Sequence, residues 1–373
     1  MSGGDTTYGE RLWIEQATDW IAARVAQTLP AIDPSAPAID RFQRIPRPYL
    51  LIGSLILLDV FLLHSIQQLT VGRNLVFDNP SWLALPATVL LAVFTNRYAR
   101  DRYARACREI RIESRVASDS TSFQRLVPRR PKRLLFVAAV VGYYAYLLAT
   151  GRIPTIVEYE GLAGLFGWLV VIPFGYAPVL VETAAIYASL HFSLPRRFDA
   201  EEVKFYYFDP HNLGGLRPIG ELLKHSFYLF VAGVVLLTVL LYAPFVFPGH
   251  LYTPYQPPER VVSALLTGLW ALGVFSIGFS LLTLHRYMRK RRRRKLKSLE
   301  QRFYDVVGDP YEVQNALTDP DELERFERER HRIGQVRDTK EFPASTAMWL
   351  QVIVGGVIPL VIQWGVRWLA NTV

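Results

Sequence analysis

Seven stretches of this chain are apolar over roughly the thickness of a bilayer: 49–71, 81–97, 134–150, 161–191, 226–248, 261–285 and 345–370. Nothing constrains the fold more. A backbone in hydrocarbon must satisfy its own hydrogen bonds, and segments of this length do so only as helices. The sequence therefore predicts an all-α, polytopic bundle of seven transmembrane helices. Composition agrees: 51% of the 373 residues are hydrophobic and 20% are charged. A single cysteine, Cys107, rules out a disulfide scaffold and zinc sites built on several thiolates. Met1 to Tyr8 is polar and Gly-rich, without the basic-then-apolar pattern of a cleavable leader, so the first apolar segment is expected to act as an uncleaved anchor.

Charge sets the expected orientation. With the N-terminus in the cytoplasm, the segments 1–48, 97–133, 192–225 and 286–344 hold 38 of the 42 Lys and Arg residues. The other face keeps only Arg73, Arg152, Arg260 and Arg367. The net charge of +9 is then a consequence of insertion, and no nucleic-acid partner is expected. The C-terminus falls outside. G-protein-coupled receptors and microbial rhodopsins run the other way, and 344–373 lacks the lysine a retinal Schiff base requires. The expected organisation is a cytoplasmic N-terminal region with an amphipathic helix (1–48), a six-span bundle (49–285) with cytoplasmic loops 97–133 and 192–225, a basic cytoplasmic helical region (286–344), and a seventh span with a short outer tail (345–373). A multi-pass protein of the cell membrane, with the bilayer as its partner, follows.

Between the spans, Trp13, Ala17, Trp20, Ile21 and Val25 recur at helical spacing within 9–29. That helix suits either the membrane interface or packing on other cytoplasmic helices. The second span continues through arginines 97 to 115 with no proline until Pro128, as a solvated helix or one that meets anionic lipid. No proline interrupts Val261 to Val307 either, so one helix of about 70 Å is predicted, ending at Gly308-Asp309-Pro310. Its basic run includes Arg291, Arg292, Arg293 and Arg294, candidates for lipid-headgroup contact. A second helix starts at Asp319-Pro320 and is expected to stop near Gly334. Leu323, Phe326, Arg330 and Ile333 share one of its faces. The loop 208–221 (FDPHNLGGLRPIGE) contains Asp209 and His211, but Asp-Pro and Gly-Gly read as turns and not as a metal site.

Ionisable groups inside the membrane are costly and point to function by default. Asp59 lies mid-span in the first segment and Glu182 in the fourth, which Pro173 and Pro178 kink or break into a re-entrant piece. Either acid suits a proton or cation site, or an internal hydrogen bond. His64 follows Asp59 by five residues, which on an α-helix puts them on different faces, so no relay is expected. The last span carries Gln351, Gly355, Gly356, Pro359, Gln363 and Trp364, a composition for a helix buried in a bundle or lining a pore. No HExxH, GxSxG or GxxxxGK[ST] occurs, so neither an enzyme nor a cofactor is expected.

The order of a sixth helix running far into the cytoplasm, a short cytoplasmic helix and a last span near the C-terminus resembles the insect odorant and gustatory receptors, which are seven-span ion channels. Ile358–Ile362 followed by Gln363-Trp364 resembles the second half of the gustatory signature in the last span; its Thr-Tyr pair is replaced by Gly356-Val357. The resemblance implies a homotetrameric cation channel or ligand-gated receptor, with a pore lined by the last span and subunits joined through the cytoplasmic helices. The alternatives are a secondary transporter using Asp59 or Glu182, which an odd count of seven spans without an internal repeat disfavours, or a membrane scaffold or sensor.

Overall fold

The computed structural model describes residues 11–28, 47–72, 76, 79–116, 121–246, 260–307, 320–341, 361, 364, 365 and 368. Within them the chain is helical, with no strand. The helices are α1 (Trp13–Thr28), α2 (Arg47–Val71), α3 (Ala84–Glu109), α4 (Arg129–Ala149), α5 (Arg152–Ala200), α6 (Arg217–Val246), α7 (Arg260–Val307) and α8 (Pro320–Asp338). Five of them, α2, α4, α5, α6 and α7, are long and apolar enough to cross a bilayer. Only 6% of the apolar window of α2 is buried, and Leu57, Phe61, Leu62 and Leu69 stand on the surface. A soluble protein would not leave such a band open to water. The second predicted span lies in α3, and the last lies almost wholly outside the described residues.

Helix α5 is the axis of the bundle. It runs antiparallel to α2: Gly161 meets Thr70 and Val71, Gly167 approaches Asp59, and Gly175 meets Leu55. The expected fourth span, 161–191, is in fact part of one run of 49 residues. It bends at Gly161 and relaxes into π-helix over Gly167–Tyr176 and Ser189–Ser193. Pro173 explains the first π segment and its neighbours. Proline has no N–H, so carbonyls four and five residues earlier lose their donor. Those belong to Leu169 and Trp168, and the hydroxyls of Tyr144 and Tyr143 on α4 donate to them at 2.6 and 2.9 Å. A prolyl break in lipid is thus repaired by the adjacent helix.

Two other boundaries differ from the sequence reading. Helix α3 stops at Glu109, and Arg111 turns left-handed (φ 51°) before a short turn, Ile112–Arg115. The reversal lets Ile110 and Ile112 both enter the core, 1% and 2% exposed; on a continuing helix, residues two apart face different ways. Helix α8 continues through Gly334 to Asp338 because Val336 has a core site, 4% exposed.

The long helix α7 extends over about 72 Å at 1.5 Å per residue. Helix α8 folds back on its distal half, with Phe326 against Phe303 at 5.1 Å. The Arg292 guanidinium bonds the carbonyls of Val336 (3.2 Å) and Arg337 (2.5 Å) at the end of α8, and pairs with Glu341 (2.9 Å). It is a helix C-cap. Arg291 and Arg294 reach toward Glu202, at 3.8 and 3.7 Å, while Arg293 stays exposed. Three of the four headgroup candidates therefore have partners within the protein.

Candidate functional site

The interior of the bundle holds three polar clusters, strung along α5. The first lies between α2, α5 and the turn at Pro80–Leu83. There Asp59, His64, Gln67, Trp82, Glu160 and Trp168 line one small cavity. The sequence reading placed Asp59 and His64 on different faces; the structure corrects this. Residues Leu58–Leu63 form a π-helical segment, whose i→i+5 hydrogen bonding brings residues five apart onto one side. The His64 Nδ1–H donates to the Asp59 carbonyl at 2.7 Å, which fixes the neutral ring's tautomer and leaves Nε2 as its proton acceptor. The Tyr176 hydroxyl donates to Asp59 Oδ2 at 2.7 Å.

Glu160 completes the cluster. It falls one residue before the predicted fourth span, where it passed for an outer-loop acid, yet it is 4% exposed. The Trp168 indole N–H donates to its Oε2 at 3.0 Å. Gly164 makes room for this carboxylate, since a Cβ there would sit 2.7 Å from Glu160 Oε2. Three ionisable side chains thus line a space of about 40 Å³, room for a few waters; among the described residues no three acids, histidines or cysteines are grouped to hold a metal ion. The space is far below the several hundred Å³ of a site for an organic molecule.

The second cluster is Glu182, 1% exposed. Its two carboxylate oxygens accept the backbone N–H of Trp13, the first residue of α1, at 3.0 and 3.1 Å. The Lys132 ammonium pairs with it and lies 4.3 Å from the centre of the Trp13 ring. Nearby, Arg100 pairs with Glu15 of α1. The two alternatives for the N-terminal helix therefore divide by residue: Trp13 packs into the bundle, edge-on to Phe136 at 5.8 Å, while Trp20 is 63% exposed. Glu182 is saturated by these partners and reads as a fastening.

The third cluster is His191, fully buried. Its ring nitrogens bond Ser226 on α6 (2.8 Å) and Ser280 on α7 (3.2 Å), and Tyr187 bonds Ser276 at 2.5 Å. These bonds tie α5, α6 and α7 together. Nothing in the sequence singled out His191.

Loop 208–221 is a turn. Asp209 accepts the backbone N–H groups of His211, Leu213 and Gly215 at 3.1, 2.9 and 2.8 Å. Burial opposes its charge, but these three donors outweigh that and hold its pKa below the ordinary carboxylate range. A depressed folded-state pKa contributes stability above the unfolded value and loses it as pH falls through the folded one. Amides 211, 213 and 215 are accordingly expected to stay protected from hydrogen exchange at pH 4.5, and to lose protection in Asp209→Ala at every pH. Equal protection in both proteins would refute the assignment.

Of the pore-lining candidates, Gln351, Gly355, Gly356, Pro359 and Gln363 lie outside the described residues; Trp364 is 71% exposed. Five spanning-length helices around buried polar clusters define a multi-pass helical membrane protein. No family model, curated protein or solved structure matches the chain.

Proposed function

We propose that this protein moves protons or small cations across a membrane through the Asp59–His64–Glu160 cluster. One observation carries the reading: two carboxylates and an imidazole face a single ion-sized cavity between apolar helices. Ionisable groups inside a membrane are costly, and by default they mark an ion or proton path. Asp59 and Glu160 are the carriers, His64 is the relay, and Tyr176 and Trp168 orient the two carboxylates. Both helices of the site carry π segments next to these groups, a feature often found where helices work. The positive-inside charge pattern supports an N-terminus in the cytoplasm, and seven spans and residence in the cell membrane belong to the same proposal.

The test is flux in proteoliposomes under an imposed pH gradient, read with an internal pH dye and repeated with sodium or potassium gradients. Wild type is expected to dissipate one of these gradients. Asp59→Asn and Glu160→Gln should fall to the leak of empty vesicles, while Arg293→Gln should match wild type. Unchanged flux in Asp59→Asn would sink the reading, as would wild-type vesicles no leakier than empty ones.

The α7–α8 hairpin favours a second reading, an oligomeric cation channel like the insect chemoreceptors. There the last span would line a pore between subunits through Gln351 and Gln363. Electron microscopy of the protein in nanodiscs separates the two: a fourfold ring with the last helix at its axis supports the channel, and a monomer excludes it.

A further inference from the structure

A second cavity, of about 390 Å³, opens at the α1 end of the bundle between α3, the 209–217 loop and the start of α6. Arg102, Arg105, Arg115 and Arg217 line it. Among the described residues these four guanidiniums form no ion pair. Arg102 reaches the Tyr98 hydroxyl, Arg105 the Asp101 carbonyl, Arg115 the Gly214 carbonyl, and Arg217 the Nε2 of His211. The acids on the same wall are largely committed elsewhere. Asp209 is held by three backbone donors, and Glu221 pairs with Lys224 at 2.7 Å, leaving Glu109 at the rim.

The wall is built. Arg115 is half-buried against the Tyr206 ring at 5.5 Å, and a Cβ on Gly215 would come within 2.6 Å of its Nη2. Its backbone carbonyl accepts Lys204 N–H, and the 209–217 loop is tied in turn to Lys340 beyond α8 through the Asn212 carbonyl, at 2.7 Å. Burial works against the charge of Arg115 and lowers its pKa. A guanidinium fixed in place and partly desolvated, whose neighbouring acid Asp209 is committed to three backbone donors, is matched by an anion that brings its own oxygens. The start of the 30-residue helix α6 borders the same cleft through Arg217, Pro218 and Glu221.

We infer that this cleft binds a phosphate-bearing anion, either the headgroup of a phospholipid or a free polyphosphate. The volume suits a small phosphorylated group and excludes a folded partner. The continuous apolar stretch of α6 begins near Ser226, about 14 Å along the helix from Arg217. A lipid headgroup at the bilayer margin can therefore reach the site, and so can a soluble anion.

The experiment uses the full chain in two arms. In nanodiscs of pure phosphatidylcholine, sodium pyrophosphate is titrated and binding is read by calorimetry. In nanodiscs containing phosphatidic acid, lipid retained on the protein is counted by native mass spectrometry. Binding in at least one arm is expected, weakened at least about tenfold in Arg105→Gln/Arg217→Gln, and unchanged in Arg328→Gln, an exposed position on α8 that does not line the cleft. Arg105 and Arg217 are both exposed, so the double variant keeps the fold. Pyrophosphate binding identifies a soluble ligand; retention of phosphatidic acid alone identifies a headgroup. No binding in either arm overturns the inference, as does a double variant that binds like wild type.

Discussion

Lys132→Met is expected to destabilise the folded protein by about 3–5 kcal/mol, the cost of stranding one partner of a buried ion pair. Glu182 would keep only the Trp13 N–H at 3.0 and 3.1 Å, with 1% of its surface exposed. The Lys132 ammonium also covers the Trp13 ring, so the start of α1 loosens with it. Lys132→Met/Glu182→Gln should recover most of the loss, because the neutral amide still accepts the Trp13 N–H and leaves no buried charge unpaired. The measurement is the fraction of monodisperse protein after heating, for both single variants and the double. A double variant as unstable as the single would show that shape, and not charge, holds the site.

Gly161→Ala should be the second most damaging change. Gly161 sits at φ 67° and ψ −165°, a region open essentially to glycine alone. Alanine there costs about 1–3 kcal/mol in backbone strain. The new Cβ would also stand 2.9 Å from Val71 Cγ2. Relief requires α5 to shift against α2, which carries Glu160 away from Asp59, so ion flux should be lost along with stability. Gly142→Ala is the control. Nothing lies within 4 Å of its Cβ position on α4, and alanine in a helix interior gains about 0.5–1 kcal/mol. Equal heat resistance and flux in the two variants would refute the role given to the bend.

The parts legible in the sequence were those with a local signature. Apolar length predicted seven spans, five of which stand as helices of spanning length among the described residues; absent prolines gave the full run of α7, and Asp319-Pro320 the start of α8. Asp59 was legible too, because an acid inside an apolar run stands out. Its partners were not. His64 follows Asp59 within a π-helical segment, where α-helical spacing does not hold, and nothing local in LDVFLL announces the wider turn. Glu160 and Lys132 lie where a span was expected to begin, and charges there are ordinary. Only the fold shows that one faces a cavity and the other reaches Glu182. The fate of Arg292 was equally hidden, since a cap on α8 depends on the hairpin and not on the basic run around it.

The contact between Trp13 and Glu182 spans 169 residues of chain. At ribosomal rates of about 5–20 residues per second, the N-terminal segment emerges some 10–30 s before its acceptor is synthesised. Helix α1 therefore waits for the third and fourth of the predicted spans to be laid down before it can seat. Its docking is a late event in biogenesis, and an N-terminal fusion that delays it would leave Glu182 and Lys132 to meet without their lid.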